Sequence, residues 1–160
     1  MQQHRLSQLL INTLPLVAFF PFAMKACLSD IRTHRLPNRL NGLATIATVF
    51  TMLLLAFATH SISRLSHATL SGAIAFLVFL SLSLLSRGNL GFGDVKFAVP
   101  CGLVLGWYLT IHLLDWLWWS FGLAALVAVF GILFNRISLQ HRLPFGPFMF
   151  IGLCLTLATS

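Results

Sequence analysis

Acidic side chains are scarce in this sequence. Of its 160 residues only 3 are Asp or Glu, against 10 Lys or Arg, and charged residues make up 8% of the chain. A soluble domain usually carries about 25% charged residues, so the charges present here cannot cover the surface of one. The chain is instead 58% hydrophobic, with a mean hydropathy of +0.92. We therefore predict an integral membrane protein whose apolar side chains face the lipid bilayer.

Paired cysteines and clustered basic residues are also missing. Cys27, Cys101 and Cys154 are far apart and form no CxxC pair, which argues against a disulfide framework or a metal cluster. The formal charge of +7 comes from residues scattered through short loops between apolar runs. A nucleic-acid interface needs a basic patch on a soluble face. We therefore predict that nucleic acid is not a partner.

Six apolar runs are long enough to cross a bilayer, since a spanning helix needs roughly 20 mostly apolar residues and about 17 are tolerated. Because unpaired backbone groups are too costly in lipid, these runs should be helices. The prediction is an all-α, multi-pass membrane protein of about six transmembrane helices, forming one domain over residues 1–160. The runs are 9–28, 42–59, 68–86, 97–114, 116–134 and 143–159.

Basic residues concentrate on one side of this predicted topology. Eight lie in or beside alternate loops, whereas only Arg5 and Arg64 fall on the other side. The positive-inside rule then makes the basic side cytoplasmic and both termini extracytoplasmic. The eight residues are Lys25, Arg32, Arg35, Arg39, Arg87, Lys96, Arg136 and Arg142.

The three acidic residues separate into a pair and a third residue. Asp30 and Asp94 fall on the cytoplasmic side, whereas Asp115 lies in a short turn at the opposite face, where it is most simply a helix cap. Asp94 follows Gly91 and Gly93 and could also be a cap. Asp30 could be neutralised by neighbouring arginines or could cap the next segment. Ionisable groups in membrane segments are costly and often functional, so a catalytic role stands beside these structural alternatives.

Two carboxylates at one water-filled cavity are the minimum equipment for aspartic proteolysis. The ionised member takes a proton from an attacking water, and the protonated member donates a hydrogen bond to the peptide carbonyl. Glycines beside Asp94 would let a substrate backbone approach closely, because no side chain blocks it. Asp30 and Asp94 are therefore the candidate acid–base pair.

Three stretches carry a resemblance to a known family. "SDIRTHRLPNRLN" (29–41) and "GNLGFGDVKF" (88–97) resemble the two active-site motifs of type IV prepilin peptidases and archaeal preflagellin peptidases. "LPFGPFMF" (143–150) resembles the Pro-Phe-Gly-Pro segment that opens the family's last helix. The stretches occur in the family's order, and the likeness spans essentially the whole chain. Besides the two aspartates, the supporting residues are Arg35, Pro37, Asn38, Gly91, Gly93, Lys96, Pro144, Gly146 and Pro147.

The resemblance implies that Asp30 and Asp94 are the catalytic pair of a membrane aspartic endopeptidase. Such an enzyme removes short basic leader peptides from prepilin or pseudopilin precursors, at the cytoplasmic face of the inner membrane, and no cofactor or metal is implied. Lys96 is expected to position or tune the pair, or simply to extend its charge to the interface. Phe145 and its flanking prolines either shape the cavity or merely break the helix. The oligomeric state is left open.

Many bacterial members of the resembled family also carry an N-terminal region with paired CxxC motifs and methylate the new pilin terminus. This sequence reaches Asp30 after one predicted span and contains no such pairs. We therefore expect the short, peptidase-only form.

Other functions fit some of the same residues. Presenilin-like proteases share the GxGD pattern, but their Tyr-Asp and Pro-Ala-Leu motifs do not occur here. Lys25 and Ser29 are spaced i, i+4 on one helix face, as in a Ser–Lys hydrolase. Two acids could also line a cation pathway in a small channel or transporter, although their basic neighbours would repel cations. A non-catalytic assembly subunit of a pilus or secretion system is a further alternative. His34, His112 and His141 show no metal-ligand spacing.

Overall fold

The protein is helical in a computed structural model that describes residues 2–86, 90–108, 112–134 and 144–159, with the backbone alone described for 2–12. Within these ranges it contains six helices and no strand, so the all-α prediction is confirmed. The helices are α1 (Gln2–Thr33), α2 (Asn38–Thr59), α3 (Ile62–Leu85), α4 (Phe92–Tyr108), α5 (Leu113–Leu133) and α6 (Gly146–Thr159).

Two helix boundaries differ from the predicted spans in ways that matter for the site. Helix α1 continues through Thr33, so Asp30 lies in its last turns instead of after the helix. Helix α4 begins at Phe92, five residues before the predicted start of the 97–114 span, and Leu113 and Leu114 belong to α5. Hydropathy alone does not detect that the glycine-rich stretch around Asp94 already forms the first turn of a helix.

Four of the described helices are long and apolar enough to cross a membrane: Thr13–Thr33 of α1, and all of α2, α3 and α5. Helix α6 has 14 residues, and at about 1.5 Å per residue it is about 21 Å long, less than the roughly 30 Å hydrocarbon core of a bilayer. Large apolar side chains such as Phe57 and Trp118 remain exposed, at 73% and 78%. These features identify an integral membrane protein.

Helix α4 lies at the centre of the bundle. Of its 17 residues, 12 are buried, whereas α5 buries only Trp116 and Ser120 among its described side chains. Helix α4 packs against α3 along most of its length and also contacts α1, α2, α5 and α6. The residues at its first turn are therefore held from several directions.

Small residues bring α3 and α4 into close contact. A Cβ atom added to Gly106 would lie 2.5 Å from the carbonyl oxygen of His67, and one added to Gly102 would lie 2.7 Å from the Cβ of Ala75. Glycines spaced four apart let helix backbones approach closely in membranes, where packing is a main source of association. This contact fixes the position of α4, and with it the position of Asp94.

Candidate active site

Asp30 and Asp94 line one cavity of about 380 Å³. Asp30 comes from the end of α1 and Asp94 from the start of α4, so two distant parts of the chain meet there. Both side chains are buried, with 4% and 9% of their surface exposed. The other residues that line the cavity are His34, Arg35, Leu36, Asn38, Gly91, Phe92, Gly93 and Lys96.

Asp30 is held by the beginning of α6. Its Oδ2 atom accepts a hydrogen bond from the backbone N–H of Gly146, at 3.1 Å. Gly146 is the first residue of α6, and a helix N-terminus stabilises a negative charge. This contact offsets the unfavourable position of a carboxylate near the C-terminus of α1. One turn earlier on α1, the Cys27 thiol donates to the carbonyl oxygen of Gly146, at 3.5 Å.

Asp94 is the third residue of α4, ahead of the apolar stretch that begins at Phe97. The pKa of Asp94 is raised from 3.8 to about 7, mainly by burial and also by the Asp30 carboxylate, while a backbone hydrogen bond from Gly91 acts in the opposite direction. A carboxyl that reaches back over the first helical turn resembles one half of a capping box. Asp94 can therefore act both as the helix cap proposed from the sequence and as a carboxyl that holds a proton.

Leu36 explains why two of the motif glycines have no side chain. A Cβ atom on Gly93 would lie 3.0 Å from the Cβ of Leu36, and one on Gly146 would lie 3.1 Å from its Cδ2. Leu36 is itself buried, with 8% of its surface exposed. It packs between the starts of α4 and α6, in the wall of the cavity. The sequence analysis did not include Leu36 among the site residues.

Lys96 and Asn38 form one wall of the cavity. The Lys96 ammonium donates to Asn38 Oδ1 at 3.0 Å, and it lies 5.2 Å from the centre of the Phe92 ring. Lys96 thus lies at the edge of the site, hydrogen-bonded to the side-chain amide of Asn38 in the first turn of α2.

The motif prolines lie at helix starts. Pro37 is the N-cap residue of α2, in an extended conformation. Pro144 precedes α6 and Pro147 is its second residue, a position where the missing N–H costs little. Arg35 is exposed at the cavity mouth.

Asn41 is a second residue that sequence reasoning missed. It is 2% exposed, and its Nδ2 donates to the carbonyl oxygen of Gly93 at 3.1 Å. This bond ties α2 to the glycine turn that precedes Asp94. One feature of the sequence could have revealed it: Asn41 is a polar residue of the "LPNRLN" stretch at a position that the pattern of an amphipathic helix would bury.

The remaining polar candidates lie away from the cavity. Asp115 is in the first turn of α5, where its carboxylate pairs with the imidazole of His112, the actual N-cap residue. Among the described residues no group of three or more His, Cys, Asp or Glu could hold a metal ion. Arg87, Arg136, His141 and Arg142 lie outside the described residues.

A family model supplies the decisive comparison. The model of the type IV leader peptidase family matches residues 17–134, a range that contains both Asp30 and Asp94. The chain belongs to the type IV leader peptidase family. The resemblance seen in the sequence motifs is therefore confirmed.

A curated relative within this family comes from Bacillus subtilis (strain 168). That protein is named prepilin leader peptidase/N-methyltransferase, and it is 29% identical over 145 residues, which cover 89% of this chain and 54% of the relative. The chain thus spans about half the length of the curated relative it matches. No solved structure matches the chain.

Proposed function

We propose that this protein is a membrane aspartic endopeptidase that cleaves the leader from prepilin-like precursors, with Asp30 and Asp94 as its acid–base pair. The observation that carries the proposal is the shared cavity of two buried carboxyl groups. Family membership and the name of the Bacillus relative support the class of substrate.

The proposed mechanism assigns different protonation states to the two carboxyls. Asp30 is the ionised member, because the Gly146 N–H at the start of α6 stabilises its charge. Asp94, whose pKa is raised to about 7, holds its proton below about that pH. Asp30 takes a proton from water as the water oxygen attacks the peptide carbonyl carbon, while Asp94 donates its hydrogen bond to the carbonyl oxygen. The C–N bond then breaks as Asp30 returns the proton to the leaving amine.

The proposed location is the cytoplasmic face of the inner membrane. Basic side chains surround the cavity end of the bundle, with Arg35 and Lys96 in the cavity wall itself and Arg32 in the last turn of α1. By the positive-inside rule, such an end faces the cytoplasm. The hydrophobic bilayer surrounds the exposed apolar faces of the long helices.

Two alternatives receive less support. Lys25 is exposed and Ser29 half-buried, and neither lines the cavity that holds the two acids, which disfavours a Ser–Lys site. A cation pathway is disfavoured because the acids share a cavity with Arg35 and Lys96 in its wall, and these charges repel cations.

Co-expression with candidate prepilin-like precursors tests the proposal, with leader removal read as a mobility shift. Asp30→Asn and Asp94→Asn should each lower the cleavage rate by at least about 100-fold, since general acid–base groups commonly contribute that much. Asp115→Asn is the matched control and should cleave at the wild-type rate, because Asp115 lies on α5 outside the cavity. Equal membrane levels of the variants would show that insertion is intact. Wild-type cleavage by either cavity variant would refute the site assignment.

A further inference from the structure

A second cavity lies directly beside the first. It has a volume of about 330 Å³ and shares Asn38 and Lys96 with the cavity of the two aspartates. Its walls come from α2, α3 and α4, and we call it the Asn41 pocket. Its remaining lining residues are Asn41, Gly42, Thr45, Ile46, Phe76 and Val99.

Asn41, in the wall of this pocket, has an unused hydrogen-bond acceptor. Its Oδ1 atom is buried and has no hydrogen-bond partner in the described part of the chain. The bond from its Nδ2 to the carbonyl of Gly93 fixes the orientation of the amide, because a carbonyl can only accept. A buried acceptor without a partner is destabilising, so a bound N–H donor would relieve that cost.

The charges of the site indicate which part of a precursor this pocket suits. A basic leader gains no attraction from Arg35 and Lys96 in the wall of the first cavity. The Asn41 pocket shares Lys96 but lacks Arg35, and it is mainly apolar, with Ile46, Phe76 and Val99 among its walls. Because the two cavities share Asn38 and Lys96, an extended peptide that crosses this wall would pass from the two aspartates toward the Asn41 pocket.

We infer that the Asn41 pocket receives the apolar side chain that follows the cut, while Asn41 Oδ1 accepts a backbone N–H of the same segment. The inference rests on the proposed function and makes the pocket a determinant of specificity. Binding of this segment would also affect the position of Asp94, because the Asn41 side chain is hydrogen-bonded to the carbonyl of Gly93, the residue before Asp94.

Gly42 offers a way to fill the pocket without disturbing the fold. A Cβ atom added to Gly42 would meet nothing within 4 Å, and Gly42 lines the pocket. Gly122 on α5 is the matched control, because a Cβ atom there would also meet nothing within 4 Å. Both residues lie inside helices, so any gain in helix propensity is shared by the two variants.

The experiment compares Gly42→Leu, Gly122→Leu and wild-type protein on two precursors, with either Ala or Phe directly after the cut. Gly42→Leu should lower kcat/KM for the Phe precursor relative to the Ala precursor by at least about 10-fold, mainly through KM, because a pocket discriminates by this much or more when space for a side chain is lost. Gly122→Leu should keep the wild-type ratio. An unchanged ratio in Gly42→Leu would overturn the inference alone, whereas a wild-type protein that cuts neither precursor would overturn the proposed function with it.

A change in the substrate tests Asn41 without changing the fold. Precursors in which an ester replaces the second or third amide beyond the cut lose one N–H donor each. For wild-type protein, one of these esters should reduce kcat/KM by about 2- to 10-fold, the range expected for one hydrogen bond. The same ester should cause no further loss in Asn41→Leu. Equal cleavage of the amide and both esters by the wild type would refute the role of Asn41.

Discussion

The Oδ2 atom of Asp30 lies 3.1 Å from the backbone nitrogen of Gly146, the first residue of α6. This hydrogen bond joins the end of the first helix to the start of the last. It places a carboxylate at a helix N-terminus, where the partial positive charge stabilises it. Asp94 also lies in the first turn of a helix, α4. Both candidate catalytic groups thus lie at helix N-termini. Asp94 belongs to its helix, α4, whereas Asp30 belongs to the C-terminal end of α1 and contacts the N-terminus of α6.

The first prediction concerns the space beside Gly146. In Gly146→Ala the added Cβ would lie 3.0 Å from Asp30 Oδ2 and 3.1 Å from Leu36 Cδ2, so both side chains must shift. We expect a loss of about 10- to 100-fold in cleavage rate, the cost typical of a misplaced catalytic group. The measurement is leader removal from a precursor by purified protein.

Gly146 and Gly93 contact different atoms of Leu36, so a Leu36 variant should affect alanine substitutions at the two glycines differently. Leu36→Ala removes the Cδ atoms that crowd an alanine at position 146, but it keeps the Cβ that lies 3.0 Å from an alanine at position 93. Adding Leu36→Ala should therefore recover part of the thermal stability lost in Gly146→Ala and none of that lost in Gly93→Ala. Equal recovery in the two double variants would contradict this description of Leu36.

The second prediction is a pH dependence. Because the pKa of Asp94 is raised from 3.8 to about 7, the folded protein binds more protons than the unfolded chain between these values. The contribution of Asp94 to stability should then fall as pH rises from about 4 to about 7 and stay constant above. Cleavage should likewise decline above about pH 7, as Asp94 loses the proton that the mechanism requires.

Asp30→Asn provides the check on this cause. The charge of Asp30 is one of the two effects that raise the pKa of Asp94, so the variant should shift the pH range of declining stability toward lower pH. Thermal unfolding measured in detergent across pH 4–9 would detect the shift, with Asp115→Asn as the control that should follow the wild type. A curve for Asp30→Asn that coincides with the wild-type curve would exclude coupling between the two carboxyls.

The third prediction concerns the contact between α3 and α4. A leucine at position 106 cannot fit, since even its Cβ would lie 2.5 Å from the carbonyl oxygen of His67. Gly106→Leu should destabilise the protein by at least about 1–3 kcal/mol, the usual cost of overpacking. Gly122→Leu, in open space on α5, should leave the melting temperature nearly unchanged. Thermal unfolding in detergent measures both, and similar losses would show that the size of the side chain, regardless of its place, is responsible.

The fourth prediction tests the hydrogen bond between Lys96 and Asn38. Because the Lys96 ammonium donates to Asn38 Oδ1 at 3.0 Å, Lys96→Met and Asn38→Ala remove the same interaction. Their effects on kcat/KM should therefore not add in the double variant, with a coupling of about 0.5–3 kcal/mol. Additive losses would mean that the two side chains act separately on the substrate.

The sequence predicts the helices and the two aspartates because their signals are local. Apolar runs identify six helices, and Asp94 is marked by the glycines around it. The bond from Asp30 to Gly146 and the bond from Asn41 to Gly93 join residues that lie far apart in the chain. Composition and periodicity carry no information about such pairs, so these contacts could not be predicted.

Helix boundaries show the same limit on a smaller scale. Hydropathy ends the first run near residue 28, but backbone hydrogen bonding continues to Thr33 and brings Asp30 into α1. Likewise, the glycines before Asp94 predict a turn when considered alone, yet Gly93 already belongs to α4. Tertiary contacts act at both places: Asp30 at the end of α1 is bonded to Gly146, and Gly93 at the start of α4 lies against Leu36.

The link between Asp30 and Gly146 also orders events during biosynthesis. A ribosome releases Asp30 and Asp94 well before it makes Gly146, so a nascent chain that has inserted five helices contains both acids but lacks the N–H that holds one of them. Synthesis of α6 therefore supplies the hydrogen bond that holds Asp30 in the cavity wall.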